Sequence, residues 1–169
     1  MGLVARIVCL SPAIAGHDGS MRALPETALV TVGYEGRTAE ELVSAVAEAG
    51  VDVLADVRLN PLSRKPGLSK RRLAAALGEA GIEYVHLPAL GNPRDNREAL
   101  RQGDPASWAR FQGLLGTPSA QSALAELGSR ARRERVALLC FERDADCCHR
   151  RLVAEYLLSH DPSLAVRHL

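Results

Sequence analysis

The chain has 169 residues, of which 21 are Lys or Arg and 20 are Asp or Glu, so its formal net charge is +1. A chain of this length can bury enough apolar surface to fold as one domain without disulfide or metal staples. With a charge this close to zero, nothing in the overall balance demands nucleic acid or an anionic membrane as a partner. No apolar run approaches the roughly 18 residues of a membrane helix, so we expect no membrane partner.

The cysteines favour a reducing, cytoplasmic location. Three of the four lie between Cys140 and Cys148, unlike the evenly spread framework of a small secreted scaffold. Residues 1–25 lack a periodic pattern, and we expect a flexible N-terminal extension there, followed by a single α/β domain over residues 26–169. Pro12 interrupts the short apolar segment of this extension, which argues against a signal peptide.

In chain order, the first half predicts three strands separated by two helices. Ala28–Gly33 is a β-rich apolar run that ends in glycine. Thr38 and Glu41 form a capping-box pattern that opens a helix to about Ala49, and Gly50 ends it. The next segments predict a strand buried on both faces, a helix capped by Ser69 and a third strand, at 51–57, 69–80 and 82–87.

The second half begins with an irregular segment, 87–118, that is rich in Gly, Pro and polar residues. It contains a helix near 105–115 and resembles an insertion or lid more than scaffold. The later segments predict helix, strand, helix and strand, at 119–133, 136–141, 148–159 and 164–168. Because strands and helices alternate, we predict a single three-layer α/β/α domain with a mostly parallel sheet.

Reactive side chains follow each of the predicted inner strands. In folds of this class, ligands bind outside the carboxyl ends of the strands, and parallel strands bring those ends to one edge. We therefore expect one pocket at that edge. The residues expected to converge there are Tyr34, Asp56, Arg58, His86, Cys140, Glu142, Cys148, His149 and Arg150.

The segment from Cys140 to Arg150 supplies most of the candidate catalytic groups. The pattern places Cys148 in the first turn of the last long helix, where free N–H groups and the macrodipole lower a thiol pKa. The candidate nucleophiles are thus Cys148 and Cys140, with a buried packing role as the alternative for each. The candidate proton-transfer groups are His149, His86 and Glu142.

Arginine supplies the candidate anion-binding groups. Arg58 comes directly after a buried strand, where a guanidinium can direct two donors onto a phosphate or carboxylate. The alternative is a structural ion pair of Arg58 with Asp56 or Glu142. The candidate substrate-binding residues are Tyr34, Asp56, Arg58, Arg64 and Arg150.

Two alternatives to an anion-binding enzyme stay open. Cys140, Cys148 and His149 are suitable zinc ligands, but the Cys-x-x-Cys spacing is missing and neighbouring residues on a helix rarely face one ion, so no cofactor is predicted and zinc is an alternative. Residues 57–78 carry six basic side chains and no acidic one. The basic loop 58–72 therefore offers a second alternative, a non-catalytic domain that binds nucleic acid or protein.

Several motifs together resemble the domain of unknown function 488 family over residues 28 to about 158. They are Thr31-Val32-Gly33-Tyr34-Glu35-Gly36, Asp56-Val57-Arg58, Tyr84-Val85-His86-Leu87, Leu139-Cys140-Phe141-Glu142 and Cys148-His149-Arg150. The resemblance implies a compact α/β fold in an intracellular bacterial or archaeal protein, and it implies no settled activity. The sequence thus favours an enzyme of unknown reaction class that binds a small anionic or phosphate-bearing substrate.

Overall fold

The computed structural model describes residues 28–169, in which strands and helices alternate. The first half contains β1 (Ala28–Gly33), α1 (Ala39–Glu48), β2 (Val53–Asp56), α2 (Lys70–Glu79) and β3 (Glu83–His86). Two short 3-10 turns follow at Pro88–Leu90 and Arg94–Asn96. The second half contains α3 (Arg97–Arg101), α4 (Pro105–Leu115), α5 (Pro118–Ala131), β4 (Val136–Cys140), α6 (Arg150–His160) and β5 (Ala165–His168).

The five strands form one sheet in the order β3-β2-β4-β1-β5, and every neighbouring pair is parallel. Gly33 lies opposite Cys140, and Asp56 lies between Leu139 and His86. The carboxyl ends of β1 to β4 are therefore level with one another at a single edge. This arrangement confirms the predicted α/β domain and makes the sheet wholly parallel.

Helices cover both faces of the sheet. On one face, Val30, Val32 and Leu139 pack with the buried residues of α1 and α2. On the other face, Leu138 and Cys140 pack with α4, α5 and α6. The central strand β4 is apolar along its whole length because both of its faces are buried, which is why it carries no alternating pattern.

The starts of α1 and α2 agree with the sequence, and the start of α6 differs. Thr38 and Glu41 make the predicted capping box at the start of α1. Ser69 occupies the N-cap position of α2, but its hydroxyl bonds to the backbone of Ser63 and makes no cap. The last long helix begins at Arg150 and not at Cys148.

The predicted N-terminal extension, residues 1–25, lies outside the described residues. Within residues 28–169, no helix combines the length and the apolar character that crossing a membrane requires.

Candidate metal centre

Cys140 and Glu142 are positioned by the end of β4 and by the loop that follows it. Gly33 in the neighbouring strand packs so closely on this loop that a Cβ there would overlap the carbonyl of Glu142. The guanidinium of Arg150, fully buried, donates to the backbone carbonyls of Glu142 and Arg143 from the other side. The loop 141–149 is therefore held from β1 and from the first residue of α6.

Four side chains of one short segment meet at this edge. The thiols of Cys140 and Cys148 each lie 3.1 Å from Oε2 of Glu142. The same two sulfurs lie 3.6 Å and 3.8 Å from Nδ1 of His149. All four donor atoms lie within 4.8 Å of one another, and this is the cluster that we call the C2EH cluster.

His149 is oriented by the neighbouring strand and by the insertion. Its Nε2 lies 3.0 Å from the carbonyl oxygen of Val57, which can only accept a hydrogen bond. The proton of a neutral imidazole is thereby placed on Nε2, and the lone pair of Nδ1 faces the two thiols. The ring of Phe111 from α4 packs edge-on against the imidazole, with centroids 5.1 Å apart.

The loop also explains why Cys148 and His149 can face one point. Cys148 lies in a turn closed by its N–H and the carbonyl of Ala145, and His149 occupies the N-cap position of α6. The two residues therefore precede the helix. Neighbouring residues within a helix rarely face one ion, but this restriction does not hold for Cys148 and His149.

The neighbours within the cluster shift the pKa values of Glu142 and His149. Burial raises the pKa of Glu142, but hydrogen bonds from its backbone and from both thiols outweigh burial and lower it overall. Burial lowers the pKa of His149, but hydrogen bonding and charge interaction with Cys148 reverse the direction and raise it. Each thiol donates to Oε2 of Glu142.

The expected lowering of the Cys148 pKa is wrong. Burial, followed by the hydrogen bond and the charge of Cys140, raises the pKa of Cys148 well above its ordinary value. The macrodipole expected to favour the thiolate acts at a helix start that lies two residues further on. Cys148 is therefore a buried thiol whose raised pKa disfavours the thiolate.

A second polar network lies beside the first at the end of β2. Arg58 donates through Nε and Nη2 to the two carboxylate oxygens of Asp56, at 2.8 Å and 2.5 Å. It also donates through Nη1 to the carbonyl of Leu68. The hydroxyl of Tyr84 donates to Asp56 as well, at 2.5 Å. Burial lowers the pKa of Arg58, but the bonds and charge of Asp56 more than compensate and raise it.

A family model described as "Domain of unknown function DUF488" matches residues 38–157. The chain belongs to this family. No curated protein and no solved structure matches the chain significantly. The family description names no activity, so the function of this DUF488 domain has to be argued from the geometry of the site.

The structure brings the predicted site residues to one edge, but it separates them into two groups. Cys140, Glu142, Cys148 and His149 form the C2EH cluster, whereas Asp56 and Arg58 form the neighbouring network. His86 joins the second group, because its Nε2 lies 3.0 Å from the carbonyl oxygen of Arg58 and its Nδ1 lies 3.3 Å from Nζ of Lys70. The backbone of Val57 and Arg58 connects the two groups through His149 and His86.

In the structure, three of the predicted anion-binding residues contact other groups of the protein. Arg58 forms a buried ion pair with Asp56, which is the alternative to anion binding. Arg150 donates its hydrogen bonds to two loop carbonyls. Tyr34 is buried, with its ring edge-on to Phe141 and 5.1 Å from the guanidinium carbon of Arg58. Arg64 is exposed in the loop after β2.

Two residues of the insertion were missed by the sequence argument. Phe111 packs on His149, and Arg101, at the end of α3, lies 3.4 Å from Oε1 of Glu142. Both residues lie in the irregular segment 87–118. This segment has no regular apolar pattern that would predict which side chains face the sheet edge. Segment 87–118 was expected to be an insertion or lid, and lids lie over binding sites. The sequence named no individual residue within it.

Proposed function

We propose that this DUF488 domain binds a divalent metal ion, zinc by preference, through Cys140, Cys148, His149 and Glu142. The observation that carries the proposal is the convergence of two sulfurs, one imidazole nitrogen and one carboxylate oxygen within 4.8 Å. Thiolate, imidazole and carboxylate are the ligand types that zinc takes in proteins. The coordination distances supply a second argument.

Tetrahedral zinc with Zn–S of about 2.3 Å and Zn–N of about 2.0 Å requires a sulfur-to-nitrogen separation of about 3.5 Å. The observed separations from Nδ1 of His149 are 3.6 Å and 3.8 Å. The sulfur-to-oxygen separations, both 3.1 Å, need to lengthen by roughly a few tenths of an ångström. Four of the six donor-to-donor separations are thus within about half an ångström of those in a tetrahedral zinc site.

The surroundings of the ligands also favour a metal. The Nε2–H of His149 donates to Val57, which is the kind of outer contact that orients an imidazole ligand. When zinc enters, the two thiol protons now directed at Glu142 are released, so a dication replaces two protons. A reducing cytoplasm, which keeps both cysteines as thiols, is the compartment in which we place this function.

The proposal is tested by the metal content of the protein purified without chelator. We expect one zinc per chain by native mass spectrometry and elemental analysis, and a cobalt(II)-substituted form with a thiolate-to-metal charge-transfer band. Cys140→Ser and Cys148→Ser should each reduce the bound metal and the band. Cys147→Ser is the matched control, because Cys147 is the neighbour of Cys148 but points to Asp144, with its sulfur 3.9 Å from Oδ2.

A dithiol redox pair is the competing explanation for two adjacent thiols. If the purified protein carries no metal, takes up neither zinc nor cobalt and has lost two hydrogens through a Cys140–Cys148 bond, the metal proposal is wrong. Equal metal content in Cys147→Ser and in the two cluster variants would also contradict it.

A further inference from the structure

The donor atoms of the C2EH cluster are buried, and its one partly exposed residue is Glu142, whose outward side we call the open side. Cys140, Cys148 and His149 are buried, whereas the side chain of Glu142 is 12% exposed. Glu142 directs Oε2 toward the thiols and Oε1 outward to Arg101. Of the four ligands, Glu142 is therefore the most accessible to solvent, or to a ligand from solvent.

Arg101 lies at this open side and is loosely held there. Its Nη2 is 3.4 Å from Oε1 of Glu142, a long contact for an ion pair, and the side chain is 41% exposed. An exposed pair of this kind contributes little free energy, so exchanging one anionic partner for another costs little. The guanidinium carbon also lies 5.9 Å from the centroid of the Phe141 ring, which keeps it over the loop.

The end of α3, where the exposed Arg101 side chain begins, is held by two hydrogen bonds. The indole Nε1 of Trp108 donates to the carbonyl of Leu100, and the N–H of Gly103 donates to the same carbonyl. The insertion therefore presents a cation at a defined place beside the carboxylate ligand. This is the arrangement that a second anion needs, because it meets the metal and a guanidinium together.

We infer that an anionic oxygen ligand, a carboxylate or phosphate group, binds between the metal and Arg101 by replacing the carboxylate of Glu142. The inference rests on the proposed metal centre. In the exchange one metal–oxygen bond to Glu142 breaks and one metal–oxygen bond to the incoming anion forms, with no change of oxidation state. The two thiolates and the imidazole keep the metal in place throughout.

The test uses the full chain loaded with cobalt(II), with inorganic phosphate and acetate as probes. Either probe should change the visible d–d spectrum saturably while equilibrium dialysis shows that cobalt stays bound. Arg101→Ala should lower the affinity for the tighter-binding probe by about tenfold or more, since a hydrogen bond to a charged group is lost. The same variant should bind cobalt as wild type does. Arg110→Ala, which removes an exposed arginine of the same insertion that pairs with Asp95, should leave the probe affinity unchanged.

Glu142→Ala is an independent test, because it removes the competing carboxylate. The affinity of this variant for phosphate should be higher than that of wild type. The relative affinities of phosphate and acetate identify which oxyanion the open side prefers. A wild-type spectrum that neither probe changes, with cobalt bound one to one, overturns this inference and leaves the metal centre standing. Equal probe affinity in Arg101→Ala and wild type overturns it as well. Failure to bind cobalt at all refutes the proposed function and the inference together.

Discussion

Asp56 accepts four hydrogen bonds at its two carboxylate oxygens: from the backbone N–H, Nε and Nη2 of Arg58, and from the hydroxyl of Tyr84. Both members of the ion pair are buried. A buried ion pair gives little net stability compared with apolar residues of the same volume, but the loss of one member leaves a charge without compensation. The pair therefore makes the fold sensitive to changes at either residue.

We expect Arg58→Ala to lower the free energy of unfolding by about 3–5 kcal/mol, because the carboxylate of Asp56 stays buried without its cation. Urea unfolding followed by circular dichroism measures the change. Arg71→Ala, at an exposed position of α2, should stay within about 0.5 kcal/mol of wild type. The double variant Asp56→Leu/Arg58→Met should recover most of the loss. A cost below about 1 kcal/mol for Arg58→Ala would contradict the assignment of a buried structural pair.

Tyr84 makes stability depend on alkaline pH. Burial, followed by the hydrogen bond to Asp56, raises the pKa of Tyr84 well above its ordinary value. The folded protein thus keeps the phenol neutral where the unfolded chain ionises it, above about pH 10. The stabilising contribution is complete below that pH and is lost as the pH rises further.

We expect wild type to lose more stability than Tyr84→Phe between about pH 9.5 and 11, since only wild type carries this phenol. Urea unfolding at several pH values gives the two slopes. Tyrosinate absorbance of the folded proteins should show that Tyr84 adds no ionised phenol in the same range. Parallel slopes for the two proteins would refute the expectation.

Among the structural elements, β1 and the loop 141–149 are the pair that determines the site. We expect Gly33→Ala to destabilise the fold by about 1–3 kcal/mol, because the new methyl group overlaps the Glu142 carbonyl and overpacks the contact. It should also reduce cobalt binding, since the loop carries three of the four ligands. Gly78→Ala is the matched control. In α2 a Cβ at Gly78 would meet no atom within 4 Å, so this change should stabilise by about 0.5–1 kcal/mol.

A Gly33→Ala variant as stable as wild type, with full cobalt binding, would show that the loop adapts to the added methyl group and is not determined by β1.

The same elements show what the sequence can predict. Strand ends and the start of α1 follow from apolar runs, from Gly50 and from the Thr38 and Glu41 pair, all of which act locally. The start of α6 was misplaced by two residues, because the residues next to Cys148 are held by contacts that the local pattern does not show. His149 is held by Val57, and Arg150 is held by the loop carbonyls that also pack on Gly33.

The candidate site shows the same division between local and distant information. The residue types and the common sheet edge were predicted from topology alone. The pairing of the charged groups could not be predicted in this way. Whether Arg58 is free or paired depends on its contacts with Asp56 and Leu68 in the folded chain, and on the contact of Tyr84 with Asp56. Arg101 illustrates the extreme case, since it reaches Glu142 from 41 residues away in an irregular segment.

For the whole molecule, zinc should act as a stabilising ligand. At a free zinc concentration 100 times the dissociation constant, we expect about 2.7 kcal/mol of added stability, which for a chain of this size raises Tm by about 5–10 °C. Differential scanning calorimetry of zinc-loaded and chelator-treated protein measures the shift. Cys147→Ser should keep it, whereas Cys140→Ser should lose most of it. An equal shift in Cys140→Ser would place the stabilising zinc outside the C2EH cluster.

The order of the strands also bears on how the protein emerges from the ribosome. β1 pairs with β4 and β5, and β2 is joined to β1 only through β4, so the sheet remains in two parts until Val136–Cys140 has been synthesised. Before then, the apolar edges of β1 and β2 have no strand between them, and exposed edges of this kind promote aggregation. The nascent chain should therefore depend on chaperones until residues 136–140 are made, and the segment that completes the sheet is the one that leads directly into the metal ligands.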